Sequence, residues 1–393
     1  MEGETVTQEI ESKNDERTTD DCALLLENES RQNTKTRLLD FLIGFVFITP
    51  VFVLFWSSTW LLQDLFTPSI FPRSPRLELV VSVGTSSFVI LALMITQNRI
   101  QEYLEQRGRL FRVFIWGFLV YIIGVSAVVF WRGVWKAIDC VTGKSIFSAL
   151  ISHTLGFVIL SVCNAACNIT ATPVYILKDN FEPVVKVELR VGEVNHWVPT
   201  KDITARAYLI INSIFTVIVV GICVVSFWRG TWILVETSGA NLISPSLQTQ
   251  RVCVFFVGSV IHALCFWSSR PLGDFIAQST WSRNVKTVLE LAYIYVQGIG
   301  VVSLWMGWWY VGDLLMTQVC SPPLMASLCH VISVILLFSG KFAINLLSTP
   351  AFCRMHTAHA LEGFNLGSYF GIPVPPVIPK RADDDLTETS NLK

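Results

Sequence analysis

The chain has 393 residues, of which 52% are hydrophobic and only 15% charged, with a formal net charge of −1. A water-soluble domain carries about a quarter charged residues, so a soluble globular fold is excluded. The ten cysteines fall mostly inside apolar runs, which excludes a small disulfide-stapled scaffold.

Residues 1–40 are polar and read as a disordered N-terminal tail. No apolar run follows Met1, so the first span is expected to serve as the insertion signal. Within the tail, Asp20-Asp21-Cys22-Ala23-Leu24-Leu25-Leu26 has the form of an acidic dileucine sorting signal. An α-helix needs about 20 apolar residues to cross roughly 30 Å of hydrocarbon. Eight runs qualify: 41–62, 79–96, 113–130, 146–169, 207–227, 252–267, 288–311 and 324–347. The predicted fold is therefore all-α and polytopic, with a first four-helix half at 41–169 and a second at 207–347. A long loop at 170–206 separates them, and a Pro-rich tail fills 348–393.

Orientation follows from basic residues. The N-tail, the even-numbered loops and the C-tail hold 21 Lys and Arg, against seven in the odd-numbered loops. Positive charge accumulates on the cytoplasmic side, so both termini are expected there.

Each odd-numbered span ends in the same pattern, Trp, three residues, Trp, three residues, acid. The copies are Trp56-Trp60-Asp64, Trp131-Trp135-Asp139, Trp228-Trp232-Glu236 and Trp305-Trp309-Asp313. Spacing of four sets the three side chains on one helical face. An interfacial aromatic belt explains the tryptophans; an acid at the same offset four times points to internal duplication. The even spans echo one another too: His153 and Thr172-Pro173 match His330 and Thr349-Pro350, with 20 residues from His to Pro each time. The expected unit is a helical hairpin present four times. An even number of spans per half relates the halves by an axis along the membrane normal.

Ionisable side chains inside spans are candidate functional groups. They are His153, His262, His330, Glu290 and Lys341. The imidazoles read either as interhelical hydrogen-bond donors or as the lining of a substrate or proton path. Glu290 and Lys341 are expected at similar depth, as a structural ion pair or with Lys341 snorkelling to the interface. Arg132 and Arg229, each just after a motif Trp, read as interfacial anchors that stack on indoles or pair with Asp139 and Glu236; an outer ring for an anionic ligand is the alternative. Cys140 and Cys320 occupy related outer loops and are candidates for a disulfide between halves. Cys163 and Cys167 read as packing residues. In the C-tail, Pro376, Pro379 and Arg381 have the form of an SH3 ligand, a possible contact for cytoplasmic scaffold proteins. No phosphate-binding glycine loop, His-Glu-x-x-His helix or Gly-x-Ser-x-Gly elbow is present, so no enzyme and no cofactor is expected. Nor do the basic residues form a nucleic-acid surface.

The doubled Phe-Trp-Arg-Gly-x-Trp at 130–135 and 227–232, the four hairpins and the cytoplasmic ends resemble the fuseless family of invertebrate eight-span membrane proteins. The resemblance covers roughly residues 38–355. It implies a neuronal protein of the presynaptic plasma membrane that organises the terminal and supports calcium-channel clustering and synaptic transmission, with calcium-channel complexes as partners. It carries over no catalytic residue. The reading of another class is a transporter or channel whose path runs past the intramembrane His residues.

Overall fold

The structure is a computed structural model; it describes residues 35–72, 74–174, 179, 205–242, 246–318 and 321–351. Every regular element among them is helical. Helix α1 runs Lys35–Ile70 and contains a π-helical segment, Ile43–Ile48. It is followed by α2 (Pro75–Glu105), α3 (Arg109–Thr142) and α4 (Ile146–Val162). The second half holds α5, built from Ala205–Phe215, a π-helical segment Thr216–Val220 and Gly221–Leu242. Then come α6 (Leu247–Gln278), α7 (Arg283–Gln318) and α8 (Pro322–Ser339). Seven of these are long and apolar enough to cross a membrane, while α4, at 17 residues, is shorter.

Local chemistry sets the helix ends. Ser74 caps α2 by accepting from the Leu77 N–H at 3.3 Å, with Pro75 next, where a missing N–H costs nothing. Ser145 caps α4 in the same way through the Ser148 N–H. Gly143 ends α3 at φ +71°, a conformation that glycine adopts without a Cβ clash.

Two boundaries differ from the sequence expectation. The fourth run stops being α-helical at Val162 and the eighth at Ser339, not at 169 and 347. In both places the chain enters the left-handed region, at Asn164 (φ 53°) and Lys341 (φ 61°). It then forms a short 3-10 helix, Ala166–Ile169 or Ala343–Leu346, and reaches a cis Thr-Pro bond. Asn168 and Asn345 each donate from Nδ2 to a carbonyl three residues back, at 2.8 Å. We refer to these segments, 163–174 and 340–351, as the first and second hooks. Apolar composition could not reveal them, because their residues are as buried as a helix core: Ile169, Val174, Leu346 and Ala351 are all about fully covered.

The pairing of helices also departs from expectation. The tightest neighbours are not an odd helix with the next even one. They are α2 with α3, α4 with α5, α6 with α7, and α8 with α1. Pairing α8 back onto α1 closes the set, so the two halves interlock. Close approach relies on small residues: a Cβ on Gly230 would lie 2.5 Å from the Ala149 carbonyl, and one on Gly156 2.6 Å from that of Cys223. We term the end of the bundle where α1 finishes the Trp end, and the opposite end the tail end.

Candidate functional site

The four motif copies converge on one axis. Trp56 of α1, Trp131 of α3, Trp228 of α5 and Trp305 of α7 form a closed ring, each edge-on to the next, with centroids 5.2, 5.3, 5.0 and 5.7 Å apart. One turn further toward the Trp end, Trp60, Trp135, Trp232 and Trp309 repeat the ring at 5.9, 5.9, 5.9 and 5.7 Å. Edge-to-face geometry suits the aromatic quadrupole and is worth about 0.5–1.5 kcal/mol per pair. The inner four are nearly fully buried. These tryptophans therefore are not a lipid-facing belt; they are the core that puts the odd helices around a common axis.

The hooks meet this core from the tail end. The Trp131 indole donates to the Thr349 carbonyl, that of Trp305 to Thr172 and that of Trp228 to Ile169. Glycines make room for them: a Cβ on Gly124 would lie 2.9 Å from Leu346 and one on Gly298 2.7 Å from Ile169. The Trp56 Nε1 has no partner among the described residues. Asp179, beyond the first hook, reaches the second. Its carboxylate accepts the Ala343 and Ile344 N–H groups at 3.1 and 2.7 Å. Burial pushes its pKa up to about 6, against the pull of those N–H groups and of Lys341.

The predicted residues separate into distinct places. His153 shares one hydrogen bond with Thr231 at 2.9 Å and one with the Tyr295 hydroxyl at 2.8 Å, and stacks on Phe227. His330 repeats these bonds with Thr59 at 2.9 Å and Tyr121 at 3.0 Å, and lies tilted against Phe55. Each thus ties its own helix to two of the central four. His262 is different: it is buried against Phe41 and Phe45 of α1. The three imidazoles do not converge, and no group of three potential metal ligands occurs among the described residues. Glu290 is buried on α7. Lys341 lies outside the last helix and is exposed, contrary to its expected place inside the span; its charge acts on Asp179.

Arg132 and Arg229 are not interfacial anchors. They are 1% and 0% exposed. Nor do they pair within their own motif copy; each reaches the acid of the preceding one. Arg132 of α3 bonds Asp64 of α1 at 2.8 Å and Glu78 of α2 at 2.7 Å. Lys136 also bonds Asp64. Arg229 of α5 bonds Asp139 of α3 at 2.7 Å and Ser152 at 3.1 Å. The reason is geometric. The Arg follows the inner Trp by one residue, about 100° around the helix, and so faces the neighbouring central helix rather than its own acid. Glu236 and Asp313, by contrast, make no ion pair among the described residues.

Cys140 is an exposed free thiol and Cys320 lies outside the described residues, so the expected Cys140–Cys320 bridge is not seen. Helices α3 and α7, which lead to these cysteines, stand diagonally across the Trp ring. The dileucine string and the segment with Pro376, Pro379 and Arg381 also lie outside the described residues. Sequence reasoning missed Tyr121 and Tyr295, although each stands ten residues before an inner-ring Trp, and Thr59 and Thr231, each three residues after one.

The Fuseless family model matches residues 35–344, most of the chain. The chain belongs to the Fuseless family. The match spans both halves, with both Trp rings, both buried arginines and the 3-10 turn of the first hook; it ends inside the second hook. With seven helices long and apolar enough to span, this Fuseless-family chain is a multi-pass membrane protein. No curated protein and no solved structure matches it.

Proposed function

We propose that this Fuseless-family protein is a non-enzymatic, eight-span membrane organiser of the presynaptic terminal. It carries both tails on the cytoplasmic side and supports calcium-channel clustering there. The observation that carries this reading is the filled axis: two Trp rings and two hooks occupy the space a conduit would need. Helix α4 serves as the short fourth span, with the first hook completing its depth. The bias in Lys and Arg supports the orientation, and family membership supports the setting. The tails then engage cytoplasmic scaffold proteins, the Pro-rich segment at 371–381 being the candidate contact. The test is imaging of calcium-channel clusters at terminals that express the chain without 371–381. Dispersed clusters are expected, and intact clusters remove the tail from this role.

One observation favours a second reading, a gated path. Two matching hooks approach one axis from the tail end and stop at the inner Trp ring, as a gate would. Recording from membranes with the double variant Trp131→Ala, Trp305→Ala separates the two. A current absent from the wild type supports the gate; silence in both supports the organiser.

A further inference from the structure

Between α5, α6 and α7, at the Trp end, lies a recess of about 230 Å³ lined by Trp232, Glu236, Arg251, Met306, Trp309 and Asp313 among others. Its place in the repeat gives it meaning. At the α1/α3 contact the residue after the inner Trp is Arg132, bonded to the acid of the preceding motif copy; at α3/α5 it is Arg229, bonded likewise. At α5/α7 the same position holds Met306, and Met306 and the unanswered acid Glu236 both line the recess. Asp313 adds a second carboxylate that has no ion pair among the described residues. Arg251 acts on Asp313 through its charge but forms no ion pair with either acid among the described residues; its guanidinium sits over the Tyr310 ring, 4.4 Å from the centroid.

We propose that this recess binds a small organic cation, a substituted ammonium or guanidinium ion, in the position that a built-in arginine occupies in two sibling interfaces. The chain itself shows twice that this arrangement of Trp rings and acid holds such a cation. Glu236 and Asp313 formally outweigh Arg251 by one charge, and the indoles of Trp232 and Trp309 line the recess, a ring type that attracts cations. The source of the cation is either a free amine or the choline headgroup of a lipid, whose phosphate would suit Arg251 at the rim. The inference does not rest on the organiser reading: channel clustering without cation binding would refute this site alone.

The test uses the full chain in phosphatidylglycerol nanodiscs, titrated with choline and with ethylguanidinium by calorimetry and by tryptophan fluorescence. Saturable binding is expected. The double variant Glu236→Gln, Asp313→Asn weakens it at least tenfold, and Met306→Arg abolishes it by supplying the missing guanidinium. Repeating the titration in phosphatidylcholine nanodiscs distinguishes the sources. Loss of free-choline binding there identifies the headgroup, and retention identifies a free amine. No saturable binding in phosphatidylglycerol, or equal affinity in the double acid variant, overturns the proposal. Should Met306→Arg not fold, the acid variants decide, because Glu236 is exposed and its isostere disturbs no packing.

Discussion

Helices α3 and α7 face each other across the Trp rings and make the same neutral bonds. Tyr121 of α3 bonds His330 and Tyr295 of α7 bonds His153. Trp131 bonds the second hook and Trp305 the first. Their charges differ completely. Helix α3 is clamped on both sides, through Arg132 to Asp64 and through Asp139 from Arg229. Helix α7 offers Met306 and Asp313 at the corresponding positions, and neither forms an ion pair among the described residues. The lesson is that uncharged bonds set the symmetric frame, while buried ion pairs make one side of it stiffer.

The largest effect should come from breaking an α3 clamp. Arg229→Met leaves Asp139 without its guanidinium, a loss of about 3–5 kcal/mol for a broken buried pair. Thermal unfolding in micelles should show it, and a loss comparable to that of a surface substitution would contradict the clamp. The inner ring gives a smaller and more selective contrast. Trp131→Phe and Trp305→Phe should be equal, and each should cost about 1 kcal/mol more than Trp56→Phe, since only the first two indoles donate to a hook. Unequal costs at 131 and 305 would break the symmetry of the frame.

The His ties should be weaker still. Tyr121→Phe and Tyr295→Phe each remove one interhelical hydrogen bond, worth about 0.6 kcal/mol inside a membrane bundle. A cost confined to one of them would show that the ties are not equivalent.

A separate effect concerns pH at the link between hooks. The Asp179 carboxyl is pushed up to about 6 by burial, above its ordinary value near about 3.9. Folding therefore favours its protonated form. The stability it contributes is complete below about pH 4 and is lost as pH rises through about 6. The wild type should accordingly gain in melting temperature between pH 7.5 and 5 relative to Asp179→Asn. Parallel pH profiles of the two proteins would remove Asp179 as the cause.

Much of this was legible in the chain. Apolar runs located the helices, because a lipid-spanning backbone must satisfy itself as helix. The four Trp-Trp-acid copies marked one face of every odd helix, and the spacing from His to Thr-Pro marked the two hooks as equivalent. What the sequence left open was direction. A Trp at a helix end faces lipid or core with the same spacing, and only the packed bundle turns all eight inward. An Arg beside an acid suggests pairing within its own helix; the 100° step to the next residue sends it to the neighbour instead. The helix ends at Val162 and Ser339 were hidden because the hooks are apolar too. Linear order determined which groups exist. Which of them meet was decided by the closing of α8 onto α1 and the ring that this closure completes.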